Sequence, residues 1–246
     1  MDIDIIPLKK EYEIFAEMYP PITTNKLLPN WYKKSKLGTH LEHFKYQHNS
    51  VDNNPLTIKN CPAIQDFVSE GIVIPLWGNL TMYTNEVSSD IVDQRWDFSA
   101  RFGTKDEPLE PNFISYHDKR QFEELPIKPL KNNMLMKIQM PYKIIVPKGY
   151  NIFYTDPFYH FRNEFRCLPA IVEADKWGFV TFPLEILKDT FQVQAGTPLI
   201  QCFIYKRNEE KLNLKVKKGS DEDYKSIQKE FNKFFINGVN YKHIEN

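Results

Sequence analysis

The segment Ile171-Val172-Glu173-Ala174-Asp175-Lys176-Trp177-Gly178 carries two carboxylates two residues apart beside an indole. On a strand that spacing turns both acids to one face, where they can share a proton or hold a divalent cation. Trp177 then offers a flat apolar surface for stacking. Glu173 and Asp175 are therefore the candidate catalytic pair, and Tyr150, Asn151, His160, Arg162, Asn163 and Trp177 the candidate ligand-binding residues. The same letters also read as a tight turn, with the carboxylates exposed at its mouth and Trp177 folded onto the core.

Metal chemistry has a weaker basis. His40-Leu41-Glu42-His43 contains an H-x-E pair of the kind found in facial-triad iron sites of non-haem oxygenases. A triad needs a third ligand from another element, and His117, His160 and His243 are equal nominees, so no bound metal is expected and no cofactor is assigned. Cys61, Cys167 and Cys202 are far apart and form neither a C-x-x-C nor a disulfide framework, which points to a reducing compartment. The chain has no G-x-S-x-G, no G-x-x-x-x-G-K-[ST] and no G-x-G-x-x-G, and its 9 glycines leave little for a phosphate-cradling loop.

The 246 residues include 32 basic and 32 acidic side chains, a formal net charge of zero, which argues against a nucleic-acid partner. Lys9-Lys10, Lys33-Lys34-Lys36 and Lys215-Lys217-Lys218 read as solvated loop or edge-strand lysines. No apolar run approaches membrane-spanning length and acids and lysines interrupt the N-terminus, so a cytoplasmic protein without a membrane partner is expected.

These residues need a scaffold, and the pattern from Met134 to Arg207 supplies one. Short β-branched and aromatic runs alternate with Pro147-Lys148-Gly149, Asp175-Lys176-Trp177-Gly178 and Ala195-Gly196-Thr197-Pro198. This predicts a mostly β chain, an antiparallel β-sandwich or β-clip-like barrel, folded as a single domain over 1–246. Residues 1–60 are expected to be loosely organised, with Ile3–Ile6 as a first strand. A short helix is predicted at 61–70, stopped by Gly71, and a second at 220–237, capped by Ser220, with Tyr224, Ile227, Phe231 and Phe234 packed on the sheet. Ile72–Trp77 and Leu80–Thr84 are expected to form a hairpin, and 103–133 a long loop.

Two resemblances follow from these motifs. Pro141-Tyr142, Pro147-Lys148-Gly149-Tyr150-Asn151, Ile171-Val172-Glu173-Ala174-Asp175 and Gly196-Thr197-Pro198 resemble the second half of an uncharacterised family of bacterial and phage proteins, across about 60–207. That likeness implies fold, and possible phage origin, but no activity. The layout of Pro147-Gly149-Tyr150, then Val172–Asp175 with Gly178, then Gly196 and Gln201, is similar to that of dUTPases and dCTP deaminases. It implies that Glu173 orients water. The arginine-serine phosphate pair and glycine-rich arm of that family are absent here. Together these features lead us to expect a binding or accessory protein that takes a small molecule or a protein partner. An enzyme using the carboxylates on a nucleotide-like substrate, or a metal oxygenase, is the alternative.

Overall fold

The computed structural model describes residues 1–36, 57–86, 92–99, 103–104, 107–108, 113–117, 119–122, 124–126, 135–188, 190–208, 210 and 212–232. The His40–His43 run, His243, Phe234 and the last part of the expected C-terminal helix lie outside them. In chain order the elements are β1 (Asp4–Pro7), α1 (Glu13–Met18), β2 (Ile22–Thr23), α2 (Asn30–Lys34), α3 (Pro62–Ser69), β3 (Ile72–Pro75), β4 (Asn79–Glu86), β5 (Val92–Ser99), β6 (Gly103–Thr104), β7 (Glu107–Pro108) and β8 (Ile114–His117). There follow β9 (Leu135–Ile145), β10 (Tyr150–Thr155), β11 (Phe165–Cys167), β12 (Ala170–Val172), β13 (Phe179–Ile186), β14 (Phe191–Val193), β15 (Pro198–Lys206) and α4 (Asp221–Phe231). The residues group into two units, Met1–Leu27 with Glu70–Arg207, and Leu28–Ser69 with Asn208–Asn246.

The first unit is an antiparallel sandwich. One sheet runs β1-β9-β13-β11, with β8 joined to β9 as well, because β1 pairs with Tyr142–Ile145 while β8 takes Leu135–Ile138. The other runs β12-β10-β15-β3-β2, and β14-β4-β5 form a third, smaller sheet. Neither large sheet closes into a barrel among the described residues. Period-two alternation sets the inner faces. Met136, Ile138, Met140, Tyr142 and Ile144 of β9 and Val180, Phe182, Leu184 and Ile186 of β13 share one buried cluster with Ile152 and Tyr154 of β10 and Ile200 and Cys202 of β15.

Two expectations about the strands are corrected. Ile72–Trp77 and Leu80–Thr84 do not form a hairpin: β3 pairs with β15 and β2, and β4 pairs with β5 and β14. Both flanks of β3 are already taken, and the fully buried Trp77 marks where the chain leaves one sheet for the next. Nor is 103–133 only loop, since β8 adds to β9 and β6 pairs with β7. β8 escapes notice because Ile114-Ser115-Tyr116-His117 is too short to show a period.

The second unit contributes α2, α3 and α4. Lys59 links the first two, donating from Nζ to the Ser35 carbonyl (3.1 Å) and lying over the Tyr32 ring, while the Lys59 carbonyl accepts from Gln65 Nε2 at 2.7 Å. α4 opens on a capping box in which Ser220 and Asp223 each accept from the other's backbone N–H. Its apolar stripe is not buried as expected: Tyr224, Ile227 and Phe231 are exposed. No helix among the described residues is long and apolar enough to cross a membrane.

Candidate functional site

The chain crosses between the two large sheets twice at one end of the sandwich. Val146–Gly149 carries it from β9 to β10, and Glu173–Gly178 from β12 to β13. Gly149 sits at φ +84°, the left-handed conformation that a Pro-x-Gly turn requires. Glu173 and Asp175 therefore lie on a turn rather than a strand: the Lys176 and Trp177 N–H groups both donate to the Glu173 carbonyl at 2.9 Å. Gly178 closes the turn against β9, where a β-carbon would come within 2.2 Å of the Ile144 carbonyl oxygen.

Arg207, the first residue after β15, ties the two crossings together. Its guanidinium pairs with Asp175 through Nη2, reaches Glu173 Oε2 from Nη1 at 3.3 Å, and donates from Nε to Asn151 Oδ1 at 2.9 Å. Its own N–H donates to the Gly149 carbonyl at 2.7 Å. Asp175 Oδ2 accepts the Gly149 N–H at 2.8 Å, so every oxygen of that carboxylate is engaged. Glu173 is further paired with Lys176. The side chains of Asp175 and Arg207 are mostly covered, at 11% and 16% exposure, whereas Glu173 and Lys176 stand at 46% and 68%.

Both acids are held ionised. The Lys176 ammonium bonded to Glu173 draws its carboxyl below the usual range, with Arg207 acting in the same direction. For Asp175 the Gly149 amide is the leading cause, followed by Arg207. A carboxylate with a depressed pKa and cationic partners is a hydrogen-bond acceptor, not a reservoir of protons for general acid catalysis. Trp177, expected in one reading to fold onto the core, is 60% exposed and meets Phe179 edge-on, with ring centroids 5.5 Å apart. Tyr205 lies on the strand face that carries Asn151, its direct partner in the ladder, and its hydroxyl is 3.5 Å from Asn151 Nδ2.

The remaining nominees do not join this group. Tyr150 pairs with Lys206 at the Arg207 end of the β10–β15 ladder, but His160, Arg162 and Asn163 follow the other end of β10. Arg162 is a second clasp there, with its side chain only 5% exposed. It pairs with Asp156, donates to the carbonyls of Phe165 (3.1 Å) and Pro198 (2.6 Å), and lies 4.0 Å from the Phe165 ring centroid. Burial pushes the Asp156 carboxyl up while Arg162 pulls it back, and burial raises the Cys167 thiol to about 12. His160 ends a 3-10 turn, Phe158–His160, and Asn163 is exposed. His117, at the end of β8, has Nδ1 2.9 Å from Gln121 Oε1.

Among the described residues no three His, Cys, Asp or Glu side chains gather to hold a metal. Arg207 and Asp156 were not singled out from sequence. Arg207 had one signal, a lone arginine ending the last apolar run, but its partners are 32 and more residues away and only the ladder brings them close. No family model matches the chain, and no curated protein matches its sequence.

Proposed function

We propose that the protein binds a hydroxyl-bearing small ligand at the sandwich end built by the Pro147–Asn151 and Glu173–Gly178 turns, and that it is a binding protein rather than an enzyme. The observation that carries this reading is the pairing of a pre-paid charge cluster with an exposed indole. Arg207 and Lys176 already neutralise both carboxylates, so a cationic ligand finds little net field there. Glu173, half exposed, still offers acceptor lone pairs, and the exposed Tyr205 carries a hydroxyl beside Asn151. Trp177 supplies the apolar face on which a ring can lie. Two of the four motifs that resemble the uncharacterised bacterial and phage family, Pro147–Asn151 and Ile171–Asp175, run into the two turns that Arg207 joins, and this supports reading the chain as kin of that family.

The test is a titration of intrinsic fluorescence with a panel of sugars and nucleosides, compared with Trp177→Ala and Glu173→Gln. A saturable change that both variants weaken at least tenfold is expected. Binding that survives both variants places the site elsewhere. Turnover of dUTP by the wild type that is lost in Glu173→Gln would make the protein an enzyme and overturn the reading.

A further inference from the structure

The solvent face of the β1-β9-β13-β11 sheet changes character toward the two crossings. Farther along the strands it is polar, with Gln139 of β9 opposite Thr181 of β13, both exposed. Nearer the crossings Lys143 of β9 stands in the middle of a row, between Ile6 of β1 and Phe179 of β13. Ile145 shares that face two residues on, and Trp177 precedes Phe179 by two. All four apolar side chains are exposed, Ile6 at 49%, Ile145 at 38%, Phe179 at 38% and Trp177 at 60%. Single exposed apolar residues are ordinary, but four around one lysine at a sheet end form a patch. The register of β9 against β13 shifts between the polar row and the apolar one, and such irregularities re-aim side chains beside sites. The Lys143 ammonium lies 5.1 Å from the Phe179 ring centroid, and that ring meets Trp177. Among the described residues Lys143 has no acidic partner, whereas Lys176 and Arg207 are matched by Glu173 and Asp175. Asp4 shares the face, opposite Ile145, and makes no ion pair. Lys143 is thus an unmatched positive charge beside the exposed indole.

We propose that the ligand of this end of the sandwich is an amphipathic anion: a ring lying on Trp177, with a hydroxyl toward Glu173 and a carboxylate or phosphate toward Lys143. This rests on the ligand site proposed above and names the class of molecule that it takes. The orientation follows from charge. Glu173 accepts a hydrogen bond from a hydroxyl but repels an anion, so the charged end turns away from the acids and toward Lys143. Once a ring covers Trp177 and Phe179, the apolar side chains around Lys143 exclude part of the water from the pair, which strengthens the attraction. Lys148 and Lys206, exposed at the same end, also have no acidic partner among the described residues. Asp4 offsets one of these three cations, and the remainder bias the field over the site toward anions. A small anion without the ring would meet one exposed ammonium and little else, so ring and charge are both required.

The experiment is titration calorimetry of the full chain with matched ligands: glucose, glucuronate and a glucose monophosphate, then adenosine and its monophosphate, with inorganic phosphate as the ringless control. We expect an anionic member to bind at least about fivefold more tightly than its neutral counterpart, the size of a favourable exposed ion pair. That ratio should fall toward one in Lys143→Met and at high salt. Methionine keeps the apolar contact with the Phe179 ring, and Lys143 is exposed, so the circular dichroism spectrum should not change. Lys143→Arg, which keeps the charge, should keep the preference. A preference for the carboxylate alone or the phosphate alone would identify the anion within the proposed class. Equal binding of neutral and anionic members, a preference that survives Lys143→Met, or inorganic phosphate binding as tightly as the ring-bearing anions would each overturn this inference alone. No binding by any member of the set would overturn the ligand site and this inference with it.

Discussion

Replacing Arg162 by methionine should be among the most damaging single changes in the first unit. The guanidinium is 5% exposed and the Asp156 side chain 15%, so solvent offers little compensation to the acid left behind. Removing one member of a buried pair costs about 3–5 kcal/mol, because the other charge stays unpaired. The Phe165 and Pro198 carbonyls also lose a donor, at roughly 1 kcal/mol or more each where water cannot replace it. The methionine keeps the contact with the Phe165 ring and returns part of this, so the net loss should be about 4–6 kcal/mol in urea denaturation. The partner variant is Asp156→Asn, whose side-chain oxygen can still accept the Cys167 N–H that Asp156 binds at 2.9 Å. Adding it to Arg162→Met removes the stranded charge, so the double variant should be more stable than Arg162→Met alone. The pH dependence has a definite sign. Asp156 has a raised pKa in the folded protein, and without Arg162 it rises further. The folded state then holds the proton more tightly than the unfolded chain does, so the deficit of Arg162→Met should be largest at neutral pH. It should shrink as pH falls through the variant's folded pKa toward the ordinary carboxylate range. A loss below about 1.5 kcal/mol, smaller than the cost expected of one stranded buried charge, would refute the reasoning. So would a double variant no more stable than the single one.

The Arg207 clasp should act with the opposite sign: Glu173 and Asp175 have depressed pKa values, so the stability they contribute is present above the ordinary carboxylate range and lost as pH falls through their folded values. Thermal melts should show a steeper acid limb for wild type than for Asp175→Asn, and identical limbs would mean that the clasp does not hold the fold. Gly178→Ala should destabilise more than Gly149→Ala, because the first forces a β-carbon to 2.2 Å from the Ile144 carbonyl while the second meets nothing within 4 Å and suffers only its positive φ. Urea midpoints in the reverse order would contradict the packing of the Glu173–Gly178 turn against β9.

The sequence is explicit about what each residue does locally and silent about which distant residues meet. Alternation in Met136–Ile144 and Phe179–Ile186 marks buried strand faces because period two is a property of one strand, and both runs lie in the sandwich core. Ser220 and Gly71 bound α4 and α3 as expected, since capping is settled within four residues. The hairpin expected across Gly78-Asn79 fails for the complementary reason: turn residues allow a hairpin but do not choose the partner, and β15, more than 120 residues downstream, takes the edge of β3 instead.

The candidate site shows the same division more sharply. Glu173, Asp175, Asn151 and Trp177 were visible as chemistry-bearing letters in turns, and three of those four prove to share a network. What could not be read was that Arg207 completes it, or that Arg162 does not belong to it. Both arginines flank the β10–β15 ladder, one at each end, and each closes a loop by pairing with an acid and borrowing backbone carbonyl or side-chain oxygens. The difference between them is exposure. At the Arg162 end the charges are covered and their neighbours, Phe165 and Cys167, belong to the core. At the Arg207 end the turn that carries the acids also carries a half-exposed carboxylate and an exposed indole. A clasp of the first kind satisfies covered charge against the core. Only the second leaves groups facing solvent, and for that reason the proposed ligand contacts are Glu173 and Trp177 and not the more deeply held arginine.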